Sequence, residues 1–172
     1  MGRAGNRGDL PLPLRMFYGE AHHSIYGGDT PIDNMLDAFY LAMVPWFRVH
    51  MLSIENFVRT RDKTSTILGG HENKVDIDWG KMTYGVTLNG AAVARTGATF
   101  CPLRNDRIVM YSLADSPLEA TLPVGWNPDE IAAAILFADR KEPTPFKIDG
   151  KRVAVQMRSR RPVMIYRNKS EA

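Results

Sequence analysis

The sequence predicts a mainly β protein, an antiparallel β-sandwich preceded by a short βαβ remnant with one amphipathic helix. Three observations lead there. A helical stripe of apolar residues is confined to the first third of the chain. Short β-type runs then recur, with turn signals between them, through the remainder. Two of those turns, Asn89-Gly90 and Asp149-Gly150, are dipeptides that accept the positive φ a two-residue hairpin demands. Many short strands at such spacing suit two packed sheets.

Residues 1–13, rich in Gly, Pro and Arg, read as a loose lead-in. Leu14 to Tyr18 is a short apolar run stopped by Gly19, as expected of a buried strand, and the loop GEAHHSIYGGD follows it. A helix comes next: Asp29 or Thr30 caps it, Pro31 suits its first position and Asp33 complements the positive end of its dipole. Ile32, Met35, Leu36, Phe39, Met43 and Val44 share one stripe, and Pro45 is expected to close the helix. Phe47 to Ile54 reads as a second strand, completing a parallel βαβ unit over residues 14–61.

Residues 62–172 form the predicted sandwich. Its hairpins run from Met82 to Arg95 and from Pro145 to Met157. Further strands are expected at Ser65 to Leu68, Lys74 to Asp78, Ala98 to Cys101, Arg107 to Leu113, Leu118 to Leu122 and Pro162 to Arg167. Between Asn127 and Ala138 two signals compete. Asn127-Pro128-Asp129-Glu130 is a helix start, whereas Ile131, Ala133, Ile135 and Phe137 alternate, so a helical turn followed by a strand is expected.

Composition bounds the function. With 44% hydrophobic and 24% charged residues among 172, the chain buries a core and is not disordered. A net charge of +3 does not call for a nucleic-acid or membrane partner. The segment from Lys151 to Ala172 carries +6 and the rest −3, and solvated strand faces account for that basic tail. One cysteine, Cys101, permits neither an intrachain disulfide nor a multi-thiolate zinc site. The opening MGRAGNRGDLPLPL lacks the apolar stretch of a signal peptide, so no export address is expected and the compartment stays open.

The loop after the first strand concentrates the chemistry. Glu20 stands directly past a predicted strand, where α/β folds gather functional groups, and Glu55 stands in the equivalent place after the second. Two carboxylates at neighbouring strand ends are what glycosidic cleavage needs, one protonating the leaving oxygen and the other attacking the sugar or activating water. A loop carboxylate bonded to backbone amides or a neighbouring Arg is the plainer reading of Glu20, and the start of a linker at Ile54-Glu55-Asn56-Phe57 that of Glu55. In extended backbone Glu20 and His22 share a side and His23 faces the other, a pattern that suits sugar hydroxyls better than a metal, since helical His-Glu-x-x-His spacing is missing. Tyr26 and Asp29 lie in the same loop, and Trp126, after Pro123-Val124-Gly125, is the aromatic expected to be exposed for stacking on a pyranose ring.

Taken in order, Leu14-Arg15-Met16-Phe17-Tyr18-Gly19-Glu20 and the runs Asp106 to Ser112, Ala120 to Trp126 and Arg161 to Tyr166 resemble the C-terminal end of a TIM-barrel glycoside hydrolase. In such enzymes the last barrel units are followed by a β-sandwich. The resemblance implies Glu20 as a catalytic acid, and His22, His23, Tyr26, Asp29, Glu55 and Trp126 as substrate-binding residues. It implies carbohydrate as ligand, no cofactor, and either a preceding barrel domain or a second copy of the chain as partner. A closed barrel needs eight units and at most two are present, so this chain is expected not to catalyse by itself. A non-catalytic sandwich that binds carbohydrate or serves in assembly is the alternative.

Overall fold

The structure is a computed structural model describing residues 36–50, 52–70 and 72–168. It is mainly β: one short helical segment, then a ten-stranded and a three-stranded sheet, both antiparallel and neither closed into a barrel. The helical segment is a π-helix, Ala38–Met43, running into an α-helix, α1, Val44–Val49. The strands are β1 (Ile54–Arg59), β2 (Lys63–Leu68), β3 (Asn73–Asp78), β4 (Thr83–Leu88), β5 (Ala91–Arg95), β6 (Ala98–Arg104) and β7 (Arg107–Ser112). There follow β8 (Pro117–Thr121), β9 (Ile131–Leu136), β10 (Lys141–Pro143), β11 (Phe146–Asp149), β12 (Arg152–Gln156) and β13 (Val163–Arg167). The large sheet runs β1 to β7 in sequence order, then β13, β9 and β10; the small one is β11-β12-β8.

Turn chemistry accounts for the hairpins. Asn89 and Gly90 both take positive φ, 49° and 74°, joining β4 to β5 as a type I′ dipeptide should. In the second hairpin Asp149 pairs with Arg152, so the turn is Gly150-Lys151, one residue later than predicted, and only Gly150 needs positive φ. The competing signals after Asn127 are both realised: Pro128–Glu130 is one 3₁₀ turn, capped by the Asn127 side chain accepting from Asp129 N at 3.2 Å, and β9 follows.

Helix and small sheet pack on opposite faces of the large sheet. Cross-strand partners share a face, and the chain of partners Phe57, Thr66, Val75, Val86, Ala94, Thr99 and Tyr111 traces one row across β1 to β7. The helical segment lies over the later part of that row, where Val44 and Val49 join Val86, Ala94 and Cys101 in one core. On the other face, Phe100, Ile108, Met110, Val163 and Ile165 meet Leu118, Val153 and Val155 of the small sheet in a second core. Alternation along β6 and β7 serves both cores at once.

Three expectations are corrected. Pro45 does not end the helix: it occupies the first turn of α1, where its missing N–H costs little, and the expected strand from Phe47 is helical to Val49. Strand character begins at Ile54, and β1 pairs antiparallel with β2, so the second strand is half of a hairpin that spans the 61/62 boundary. The first strand, residues 14–18, and the start of the helix lie outside the described residues. The helical stripe is also rotated: Ala38, Leu41, Ala42 and Val44 are buried, whereas Phe39 is 43% exposed. The wider π turn, closed by Val44 N donating to Phe39 O, changes the angular phase that a regular α-helix would keep.

Polar contacts fix the helix on the sheet. Having no N–H, Pro45 leaves the Leu41 carbonyl, four residues earlier, without its α-helical donor; the buried Tyr84 hydroxyl donates to that oxygen at 2.9 Å. The Asp37 carboxylate accepts from Tyr111 Oη at 2.6 Å and from Arg160 Nε at 3.1 and 3.2 Å. Tyr40 stacks on Tyr111 with ring centroids 4.8 Å apart. Arg160 holds a positive φ of 54°, uncommon for a side-chain-bearing residue, while its N–H donates to Ser112 O.

Tyr84→Phe removes the hydroxyl's bond to the Leu41 carbonyl, and is expected to lower the free energy of unfolding in urea by about 0.5–1.5 kcal/mol. Thr99 has the opposite standing, because its hydroxyl is fully buried without a hydrogen-bond partner. Thr99→Val keeps the shape and removes the unpaired oxygen, so the same titration should show stability unchanged or raised by up to about 1 kcal/mol.

Candidate functional site

Beside the helix, the row across β1 to β3 borders a groove among the described residues. Phe57 on β1, Thr64 and Thr66 on β2, and Val75 and Ile77 on β3 form the floor of a groove of about 360 Å³, and α1 supplies its wall through Trp46, Val49 and His50. The Trp46 and His50 rings stack at 4.3 Å and 11°, and His50 Nδ1 lies 3.1 Å from Phe47 O. Thr64 Oγ1 accepts from Trp79 Nε1 at 2.8 Å, so one of the two floor hydroxyls is already engaged. Among the described residues the lining contains no carboxylate, amine, thiol or serine. Such a groove can hold an aromatic or aliphatic group, but no acid-base pair stands in it.

The opposite face of the same strands is polar. Lys63, Ser65, Lys74, Asp76 and Asp78 line a concavity of about 380 Å³, where Lys74 and Asp76 pair at 2.9 Å in solvent. An exposed pair of this kind contributes little energy.

Of the sequence-predicted site residues, Glu20, His22, His23, Tyr26 and Asp29 lie outside the described residues. Glu55 sits within β1, where its Oε1 accepts from Gly70 N at 2.8 Å. Gly70 has φ 93°, and Glu55 therefore ties the edge strand to the turn that follows β2, in a strand where the sequence also allowed the start of a linker. Trp126 is not an exposed platform. It is 9% exposed, packs in the core beneath the small sheet and donates its indole N–H to Asn105 O at 2.9 Å. Gly125, at φ 81°, turns the chain so that the ring points inward, while Val124 before it is wholly exposed.

Residues that sequence reading passed over hold the helix to the sheet: Asp37, Tyr111 and Arg160, the last separated from Asp37 by 123 positions. No local spacing signals such a triad, since only the sheet brings β7 and the turn before β13 under the helix.

Among the described residues no group of three or more His, Cys, Asp or Glu is placed to hold a metal ion. No helix among them is long and apolar enough to cross a membrane. Cys101 is fully buried under α1; burial pushes its thiol up to about 12, with the Arg48 guanidinium pulling the other way by less. Its thiolate, the reactive form, is thus suppressed at neutral pH. No known protein-family model matches this chain.

Cys101 gives two linked predictions. A thiol reagent at pH 8 should not label the native protein, and should label one equivalent in denaturant. Because the folded thiol has the raised value, the unfolded state loses its proton first, and stability should hold below about pH 8.5 and decline above it towards about pH 12. Burial raises Tyr84 and Tyr40 as well, so Cys101→Ala should make the alkaline decline shallower without abolishing it.

Proposed function

We propose that this chain is the C-terminal portion of a carbohydrate-active enzyme of the glycoside hydrolase type. On this reading the two sheets act as a β-sandwich that braces a catalytic barrel. Glu20 is the reacting acid, and His22, His23, Tyr26 and Asp29 contact the sugar. The chain as given supports the reaction without completing it. Glu55 and Trp126 take structural places in this scheme, bonding Gly70 and Asn105 respectively.

The observation that carries the reading is the Asp37 anchor. The chain emerging from the predicted site segment enters a helix whose carboxylate is clamped by Tyr111 and Arg160, and whose broken carbonyl is satisfied by Tyr84. A catalytic rim must be held within about half an ångström to work, and attachment to a rigid sheet supplies that where a free linker would not. Several described ionisable groups form solvent-facing pairs, such as Arg140 with Glu142, which fits a supporting rather than a reacting role.

A second reading, an assembly protein, is favoured by β1. All six residues of that edge strand are exposed, with Ile54 at 68%, Phe57 at 53% and Val58 at 53%, and a paired or covered edge is what proteins ordinarily provide. In the full-length protein Glu20→Gln should reduce glycoside hydrolysis by at least about a thousandfold while the thermal transition is unchanged. Undiminished turnover would sink the enzymatic reading. Concentration-dependent sedimentation lost in Phe57→Lys would then favour the assembly one.

A further inference from the structure

β5 is a full partner of β4 but not of β6. Pairing with β4 runs from Gly85↔Arg95 to Leu88↔Ala91, and β6 pairs with β7 from Ala98 to Arg104. Between themselves, β5 and β6 share only Ala94↔Thr99 and Arg95↔Ala98, next to the turn that joins them. Past those two pairs the strands diverge, and the large sheet opens into a cleft of about 360 Å³. Pro102, on the β6 side, has no N–H with which to re-form the ladder.

The cleft is one-signed. Arg48 reaches it from α1 and Arg104 from the end of β6, and its lining contains no Asp or Glu among the described residues. Neither arginine forms an ion pair among the described residues. The carboxylate nearest in sequence to Arg104, Asp106, is already held by Arg107 through bonds of 3.0 and 2.8 Å. That bond is the chief reason the Asp106 carboxyl lies below its ordinary range; Arg104 adds only the smallest contribution. Two guanidiniums sharing a concavity without a counter-charge among the described residues attract an anion, and their planar forks match the paired oxygens of a carboxylate as they do those of a phosphate. Around them stand the side-chain amides of Asn89 and Asn105, which can donate and accept, and the apolar surfaces of Pro102 and the wholly exposed Val124.

We propose that the cleft between β5 and β6 binds a carbohydrate unit bearing a carboxylate, a uronic-acid residue. Arg48 and Arg104 hold the carboxylate, the asparagine amides meet ring hydroxyls, and Pro102 and Val124 cover a C–H face. This identification of the ligand rests on the carbohydrate reading proposed above, whereas the preference for an anion rests on the cleft alone.

The test is calorimetric titration of the full chain with short oligogalacturonates, with the same oligomers reduced to neutral sugars, and with an oligoglutamate peptide. The expected result is binding of the uronate oligomer only. Its affinity should weaken as salt rises, and should fall at least tenfold in the double variant Arg48→Gln/Arg104→Gln and in Ala92→Glu, which puts a carboxylate on the cleft wall. Both variants alter exposed positions, and an unchanged thermal transition confirms that they fold. Equal binding of the neutral oligomer, unaffected by the variants, would overturn the anion site while leaving the carbohydrate reading standing. Equal or tighter binding of the peptide would overturn the sugar as ligand. Binding of none of the three would overturn the proposal, and the Glu20→Gln assay would still judge the enzymatic reading by itself.

Discussion

A single orphaned carbonyl organises this protein. Pro45 cannot give Leu41 its α-helical donor, and the hydroxyl of a tyrosine on the sheet donates to that carbonyl instead. The donor is Tyr84, on the fourth strand of the large sheet, buried with its hydroxyl aimed at the helix. The contact fixes which face of the sheet the helix covers. Burial raises the tyrosine above its ordinary range, so the hydroxyl keeps its proton, and its role as donor, at any physiological pH.

Once the helix sits there, the two cores follow from strand alternation. Cys101 and Val109 turn towards the helix, Phe100, Ile108 and Met110 towards the small sheet, and the central strands are covered on both sides. Among the described residues an apolar groove lies beside α1 on the helix side of β1 to β3, and strand β1 is exposed. Another opening lies at the middle of the sheet, where a short fifth strand leaves its neighbour half unpaired. The cavities of this molecule are thus places where sheet and cover fail to match, and each takes its chemistry from whichever side chains border the mismatch.

Strand existence was legible because alternation and turn dipeptides are local. Thr83 to Arg95 could be read as a hairpin from Asn89-Gly90 alone, since few residues other than Asn and Gly tolerate the required φ. The existence of a helix over Phe39 to Val44 was local too, but the π turn was not, and one changed turn moved Phe39 from the expected core face to solvent. Trp126 shows the limit for candidate site residues. A tryptophan after Pro-Val-Gly looks like an exposed loop aromatic, yet a carbonyl 21 positions earlier takes its N–H and the small sheet covers its ring. Glu55 was visible as an acid near a strand, but its partner Gly70 was not, because that pairing exists only in the folded hairpin.

The sequence by itself determined the class of this protein: one amphipathic helix, many short antiparallel strands, and turns placed by residues whose backbone preferences need no tertiary help. Tertiary structure decided the order of strands beyond the seventh, with β13 inserted between β7 and β9, and the salt-bridged anchor between Asp37 and Arg160. It also decided that Arg48 and Arg104 border one cleft without a counter-charge. The physical reason is the range of the interactions. Backbone propensity acts over a few residues, while hydrogen bonds and charges act between whatever atoms the packed sheets bring together, and no spacing along the chain encodes those distances.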